Sequence, residues 1–231
     1  MKRRRFVLTL AALLIFTALW ACGRDESPPQ AAAEKQETHY DGTIAAVGDS
    51  LTAGYGLAEE QSYPAQLERK LHAEGLRYRV INAGISGETS SGTLSRIKWV
   101  LTLKPDIVIL ETGANDGMRG ISPELTQKNL NEIISILAEH KVVVVLAGMQ
   151  MLSNLGEEFR TAFTNVYPAV AEEQRVILIP FFLEGVAGEP HLNLPDAVHP
   201  TEQGYAAVVS NLLPYVKEAI RQREGRPSPA P

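Results

Sequence analysis

The stretch AAVGDSLTAGYG, residues 45–56, joins the end of an apolar run to a serine that directly follows an aspartate. The apolar run predicts a buried strand, and the glycines on both sides of the Asp-Ser pair predict a tight turn. Ser50 at such a turn either caps the next helix or presents its hydroxyl at the end of the strand as a nucleophile. This stretch alone leaves both interpretations open.

Four further apolar runs follow, separated by segments with helical periodicity. The predicted strands are residues 43–48, 78–83, 106–112, 142–149 and 176–181, and the predicted helices between them are residues 62–75, 93–104, 122–140 and 157–173. Strands that are apolar throughout are typical of a sheet covered on both faces. The sequence therefore predicts an α/β fold, a three-layer α/β/α sandwich around a five-stranded, mainly parallel sheet. Ligands bind such sheets at the carboxyl ends of the strands.

The first residues of the chain predict export. Residues 1–21, MKRRRFVLTLAALLIFTALWA, combine a basic start with a long apolar run. LWAC, residues 19–22, resembles a bacterial lipobox, which implies cleavage before Cys22 and lipidation of its thiol. The alternative is an unmodified thiol beside an uncleaved anchor, because the run is long enough to span a bilayer. RRRF, residues 3–6, leaves general and twin-arginine export open. We expect a protein lipid-anchored to the bacterial cell envelope, facing the periplasm or the outside.

Two polar segments flank the predicted domain. Residues 22–42 are predicted to be a flexible tether and residues 223–231 a disordered tail, which leaves residues 43–222 as the folded domain. Without the four basic residues of the signal, 18 Lys and Arg stand against 27 Asp and Glu, a formal charge of −9 that argues against nucleic acid as a partner. The sequence carries no nucleotide-binding or metal-ligand motif, so we expect no cofactor and no metal. We also expect a monomer.

A serine nucleophile needs a base within hydrogen-bond reach, and that base needs an orienting group. Among the five histidines, His199 stands out in LPDAVHP, residues 194–200, because Asp196 precedes it by three residues. A D-x-x-H turn brings a carboxylate and an imidazole together locally. The alternative is an aspartate that caps the next helix beside an incidental histidine, although Thr201 is itself a predicted cap for that helix.

Two further loops offer donors for a developing oxyanion. ETGANDG, residues 111–117, follows the third predicted strand and carries the carboxamide of Asn115. NAGISGETSSG, residues 82–92, follows the second strand and presents backbone N–H groups near Gly87. Both loops leave the predicted sheet at the same edge as Ser50, where acyl transfer would need such donors.

The four blocks GDSLTAGYG, ISGETSSG, GAND and DAVHP occur in the order and strand positions of the SGNH, or GDSL, hydrolase family, which they resemble over residues 43–220. The resemblance implies the flavodoxin-like SGNH hydrolase fold. It implies that Ser50 is the nucleophile, that His199 is the general base and then acid, and that Asp196 orients His199. It also implies an oxyanion hole made by the backbone N–H groups of Ser50 and Gly87 and by the Asn115 side chain.

Within that family, the chain is most similar to the bacterial multifunctional thioesterase, arylesterase and lysophospholipase branch. It departs from the branch at GMQMLSNLG, residues 148–156, which borders the acyl site in relatives. The candidate substrate-binding residues of this loop are Met149, Met151, Asn154 and Leu155. Ordinary packing is the alternative for its Met and Leu side chains.

Three functions remain in competition. The first is a serine esterase or thioesterase that hydrolyses acyl esters or lysophospholipids through an acyl-enzyme. The second is a deacetylase of cell-surface carbohydrate, because the same triad serves small acyl groups. The third belongs to another class, a non-catalytic surface lipoprotein that binds an anion at GDSLTAGYG. That third function leaves Asp196, His199 and Asn115 without a role.

Overall fold

A computed structural model describes residues 39–151 and 156–225, with five strands that all pair in parallel in the order β2-β1-β3-β4-β5. The strands are Gly42–Gly48 (β1), Tyr78–Gly84 (β2), Ile107–Glu111 (β3), Val143–Ala147 (β4) and Ile177–Ile179 (β5). The predicted five-stranded sheet is confirmed, and it is parallel throughout. Because β2 and β3 lie on opposite sides of β1, the chain reverses its winding direction at the carboxyl end of β1, where open α/β sheets bind their ligands.

Helices cover both faces of the sheet, as predicted. The described residues form seven α-helices: Ser50–Ala53 (α1), Tyr63–Ala73 (α2), Ser90–Thr102 (α3), Ala114–Met118 (α4), Pro123–Glu139 (α5), Glu157–Gln174 (α6) and Glu202–Arg223 (α7). Helix α2 packs against α7, whereas α5 packs against α3 and α6. Helices α2, α3, α5 and α6 correspond to the four predicted helices. Helix α7 was expected only as a helix that Thr201 caps, without bounds, and α1 and α4 are too short to show a helical period.

The centre of the core is built from β1 and β3. The side chains of Ile44 to Val47 and of Ile107 to Leu110 are fully buried. Both strands have neighbours on each side and helices on each face, which is why their sequences are apolar without alternation. The edge strand β2 is only partly buried and carries polar residues accordingly.

The observed bounds differ slightly from the predicted ones. Helix α3 begins three residues before the predicted start, because the Thr89 hydroxyl caps it by accepting from the Gly92 N–H at 3.4 Å. Gly42 belongs to β1 and not to the tether. Arg223, the predicted first residue of the tail, ends α7, where its guanidinium pairs with Asp106 at 3.0 Å.

The predicted signal peptide, Cys22 and most of the predicted tether lie outside the described residues. The tail from residue 226 onward lies outside them as well. Within residues 39–151 and 156–225, none of the helices combines the length and the apolar content needed to cross a bilayer.

Candidate active site

Ser50 is the first residue of α1, immediately beyond β1. Its neighbour Asp49 caps this helix, with Oδ1 accepting from the Leu51 N–H at 3.0 Å. Position 48 requires glycine, because a Cβ there would overlap the Glu111 backbone oxygen and the Thr52 hydroxyl. The turn thus holds Ser50 at the end of the central strand.

Three predicted side chains form one hydrogen-bonded chain. His199 Nε2 lies 2.8 Å from Ser50 Oγ, and His199 Nδ1 lies 2.7 Å from Asp196 Oδ2. Because a carboxylate only accepts, Nδ1 carries the proton and Nε2 accepts the Ser50 hydroxyl hydrogen. The tertiary fold therefore joins residues 149 positions apart in the sequence.

The D-x-x-H turn keeps Asp196 ionised. The backbone N–H groups of His199 and Val198 donate to Asp196 Oδ1 at 3.0 and 2.9 Å, which lowers the pKa of this carboxyl to about 2. Ala197 takes a left-handed conformation with φ of 58°, which closes the turn. Thr201 caps α7 just beyond it, as predicted, by accepting from the Gly204 N–H at 3.2 Å.

Asn115 lies beside the nucleophile turn. It belongs to α4, and its Nδ2 donates to Asp49 Oδ2 at 2.9 Å while the residue stays 8% exposed. The chain enters α4 through Gly113 at φ of 110°, where a Cβ would also overlap the Tyr167 hydroxyl. The Asn115 carboxamide is thus fixed next to the residue that precedes Ser50.

The loop that carries Gly87 meets the same edge of the sheet. The Ile85 N–H donates to the Gly48 carbonyl at 2.9 Å, and Arg119 donates to the Gly87 carbonyl at 2.8 Å. A buried ion pair holds the loop from behind, because Arg96 contacts Glu88 at 2.6 Å and the Ala83 carbonyl at 2.8 Å. The fold thus brings Ser50, Gly87 and Asn115 to one edge.

A buried carboxyl supports the nucleophile turn from below. Glu111 Oε2 accepts from the Thr52 hydroxyl at 2.7 Å and from the Asp49 N–H at 3.3 Å, whereas Oε1 is buried without a partner. Burial raises the pKa of Glu111 well above its usual value and the pKa of Asp49 to about 6. Burial is the largest cause of both shifts, and the nearby Asp49 carboxyl raises the pKa of Glu111 further.

Comparison with known proteins decides which family carries this arrangement. The sequence profile of the GDSL-like lipase/acylhydrolase family matches residues 46–207. The chain belongs to this family. It is 40% identical to Esterase TesA of Pseudomonas aeruginosa over 77% of this chain and 89% of that protein. It is 36% identical to an arylesterase of Vibrio mimicus over 76% of this chain and 84% of the relative.

Solved structures of family members share the fold. The TesA crystal structure aligns with a TM-score of 0.74 at 39% identity, over 77% of this chain and 99% of that one. The SGNH-hydrolase family esterase AlinE4 aligns with a TM-score of 0.67 at 43% identity, over 79% of this chain and 98% of that one. The predicted family, the fold class and an ester-hydrolysing activity are thereby confirmed.

The loop predicted to line the acyl site of this SGNH hydrolase is only partly described. Met149 is 3% exposed and belongs to the hydrophobic core, which favours ordinary packing over a contact with substrate for this residue. Met151 packs directly on Gly117, where a Cβ would overlap its sulfur. Asn154 and Leu155 lie outside the described residues.

Several contributors to the site were missed by sequence reasoning. Asp49, Glu111 and Glu88 were seen only as parts of motifs, and only Glu111, directly after the apolar residues 107–110, carried a signal of a buried carboxyl. Tyr55, 53% exposed, was missed too, and its signal was a large aromatic residue between two loop glycines. Among the described residues, no group of three or more His, Cys, Asp or Glu side chains is placed to hold a metal ion.

Proposed function

We propose that this enzyme is a serine esterase that cleaves acyl esters and thioesters through an acyl-enzyme on Ser50. The observation that carries the proposal is the continuous hydrogen-bonded chain from Asp196 through His199 to Ser50. A hydroxyl, a neutral imidazole and an ionised carboxylate in that order are the parts that activate a serine.

In the acylation half-reaction, Ser50 Oγ attacks the carbonyl carbon of the substrate. His199 Nε2 takes the hydroxyl proton as the new C–O bond forms, and the Asp196 carboxylate stabilises the resulting imidazolium. The tetrahedral intermediate then collapses. Nε2 returns the proton to the leaving oxygen or sulfur, the bond from the carbonyl carbon to that atom breaks, and the alcohol or thiol departs.

Deacylation repeats the same steps with water. His199 Nε2 takes a proton from a water molecule as the water oxygen attacks the acyl carbon. The second tetrahedral intermediate expels Ser50 Oγ, which regains its proton from Nε2. The carboxylic acid leaves, and the charge states of the triad are restored.

The donors for the oxyanion come from three elements. One hydrogen of the Asn115 amide is used by Asp49, and the second is left for the substrate oxygen. Family resemblance adds the backbone N–H groups of Ser50 and Gly87. Donors that are fixed before the reaction, as Asn115 is, stabilise the charge of the transition state without reorganising.

The substrates proposed here are acyl esters with an apolar part, including aryl esters, acyl thioesters and lysophospholipids. The relatives support this class by name, because they include an arylesterase and an Escherichia coli thioesterase and lysophospholipase that is 35% identical over 68% of this chain and 75% of its own. Several large apolar side chains are also exposed on segments that follow the carboxyl ends of the strands or carry the triad, namely Tyr55, Ile85, Met118 at the end of α4, and Val198 beside His199.

Replacement of Ser50 tests the proposal. The Ser50→Ala variant should lose both ester hydrolysis, by about 10⁶-fold, and covalent labelling by a fluorophosphonate. Ser210→Ala is the matched control, because Ser210 is exposed on α7 and bonds only the Ala206 carbonyl among described groups. Labelling of the Ser50→Ala variant at the wild-type rate would assign the nucleophile elsewhere.

A further inference from the structure

Tyr55 is a large aromatic side chain left exposed at the mouth of the site. Its exposed fraction is 53%, and its ring lies over the His199 imidazole with 4.6 Å between centroids and 37° between planes. No step of the mechanism above uses it. Exposed aromatic side chains that nevertheless have a fixed position are typical of binding sites.

The backbone around Tyr55 is built to place its ring there. Gly54 and Gly56 flank it at φ of 78° and 80°, conformations that side chains other than glycine rarely adopt. The Tyr55 N–H donates to the Ser50 carbonyl at 3.1 Å. A Cβ at Gly56 would lie 2.8 Å from Leu194 Cδ1, so this loop rests against the segment that carries the triad acid.

His199 has other means of keeping its orientation. Asp196 holds both the ring Nδ1, at 2.7 Å, and the His199 backbone N–H, at 3.0 Å. The imidazole is therefore fixed from the side opposite to Ser50. If Tyr55 served only to support the His199 ring, half of the Tyr55 side chain would not need to remain exposed to solvent.

The reaction mechanism predicts which part of the substrate lies beside Tyr55. His199 Nε2 must give its proton to the leaving atom, so that atom lies within about 3 Å of Nε2 in the transition state. The Tyr55 ring, with its centroid 4.6 Å from that of the imidazole, is then close to the group attached to the leaving atom. Val198, 37% exposed, directly precedes His199, and the partly buried Leu194 lies next to Gly56, so both add apolar surface near these two rings.

We propose that Tyr55 contacts the leaving group, and that with Val198 and Leu194 it forms a subsite for the alcohol or thiol part of the substrate. The subsite favours aromatic over small aliphatic leaving groups, because the open face of Tyr55 stacks on a planar ring. This inference rests on the proposed function, since it takes His199 as the acid that protonates the leaving atom.

Two acetate esters test the subsite. Benzyl acetate and ethyl acetate share the acyl group and release alcohols of similar acidity, so they differ mainly in the aromatic ring. Tyr55→Ala should lower the ratio of kcat/KM for benzyl over ethyl acetate by about three- to tenfold, the range expected for one aromatic pair. Tyr55→Phe should keep the wild-type ratio, because the ring remains.

A matched control exists elsewhere in the fold. Tyr40 and His72 also form a ring contact, with centroids 5.8 Å apart, at the opposite end of β1 from Ser50. Tyr40→Ala should leave the benzyl-to-ethyl ratio unchanged. Fluorophosphonate labelling and the thermal midpoint of each variant show that the site is folded.

Comparing acylation with deacylation distinguishes two roles of Tyr55, a contact with the leaving group and a support for His199. The acetyl-enzyme is the same for every acetate, so its hydrolysis, measured after a burst of p-nitrophenyl acetate, should keep its rate in Tyr55→Ala. An equal loss for both esters, with slower deacylation, would overturn the subsite. That result would leave the proposed function standing, whereas hydrolysis by Ser50→Ala would overturn both.

Discussion

At the scale of single residues, Glu111 shows how burial changes the pKa of a carboxyl group. Its carboxyl lies beneath the nucleophile turn without a cation among the described ion pairs, and one of its oxygens has no hydrogen-bond partner. An ionised carboxylate in such a place would lose its hydration, and the two hydrogen bonds to Oε2 would compensate for only part of that loss. The raised pKa of Glu111 makes the stability of the fold depend on pH.

The stability of the fold should fall as pH rises. The folded-state pKa of Glu111 is raised well above 4.5, its usual value. Its contribution is therefore fully present below pH 4.5 and is lost as pH rises toward the folded value, because only the unfolded state ionises in that range. Between pH 5 and pH 7, the free energy of unfolding of wild type should therefore drop more than that of Glu111→Gln, which has no carboxyl to ionise at this position.

Urea denaturation at the two pH values measures this difference. Gln at position 111 can still accept from the Thr52 hydroxyl and from the Asp49 N–H, so we expect the variant to fold and to keep most of its esterase activity. The exposed Glu132→Gln on α5 is the control and should show the wild-type pH dependence. Equal slopes for wild type and Glu111→Gln would mean that Glu111 is ionised.

At the scale of elements, the site depends on how α3 and α4 are joined to the end of β1. The buried Arg96 on α3 holds the Gly87 loop through Glu88 and the Ala83 carbonyl. Asp116 on α4 accepts from the Ser90 N–H at 2.7 Å and from the Ser90 hydroxyl, which ties α4 to the start of α3. These contacts align two loops from different strands on one edge.

Breaking the ion pair at Arg96 should therefore affect both stability and catalysis. The side chains of Arg96 and Glu88 are 12% and 7% exposed, so Arg96→Leu leaves a buried, unpaired carboxylate and should cost about 3 to 5 kcal/mol of unfolding free energy. We also expect kcat to fall with little change in KM, because the Gly87 loop loses its support. Urea denaturation and steady-state kinetics measure the two effects.

Two further variants show whether burial is the cause. Arg77→Leu breaks the exposed pair with Asp41 and should cost less than about 1 kcal/mol. Adding Glu88→Gln to Arg96→Leu should restore part of the stability, because the unpaired charge is gone. No recovery in the double variant would mean that the packing of the Arg96 side chain matters and not its charge.

At the scale of the whole molecule, we propose that the hydrolase domain is exported and held at the cell envelope by a lipid on Cys22. The basis is the lipobox-like LWAC at residues 19–22 together with the basic and apolar residues before it. The polar residues 23–38 separate this point from the described domain. Attachment and catalysis should therefore be independent.

The Cys22→Ser variant tests the anchor. Cys22 is the only cysteine in the chain, so no other thiol can replace it. We expect the variant to leave the detergent phase on phase partitioning while its kcat/KM on p-nitrophenyl esters stays at the wild-type value. Ser50→Ala should do the opposite and stay with the membrane. A Cys22→Ser protein still fully in the membrane would indicate an uncleaved apolar helix.

The sequence by itself determined the fold class and the positions of the candidate catalytic residues along the chain. Strands such as Ile107–Glu111 are apolar without alternation because they lie in a sheet covered on both faces, and that pattern is local. The Asp196 turn is local as well, since a carboxylate and an imidazole three residues apart meet within one turn. Family motifs then fixed the order of the functional loops.

Only the tertiary structure decided the contacts between distant segments. The approach of His199 to Ser50, the stacking of Tyr55 and the burial of Met149 join or enclose residues from different loops. The raised pKa of Glu111 depends on desolvation, which no neighbour in sequence supplies. Long-range packing sets distance and dielectric, and these are the quantities that turn a motif into a reactive site.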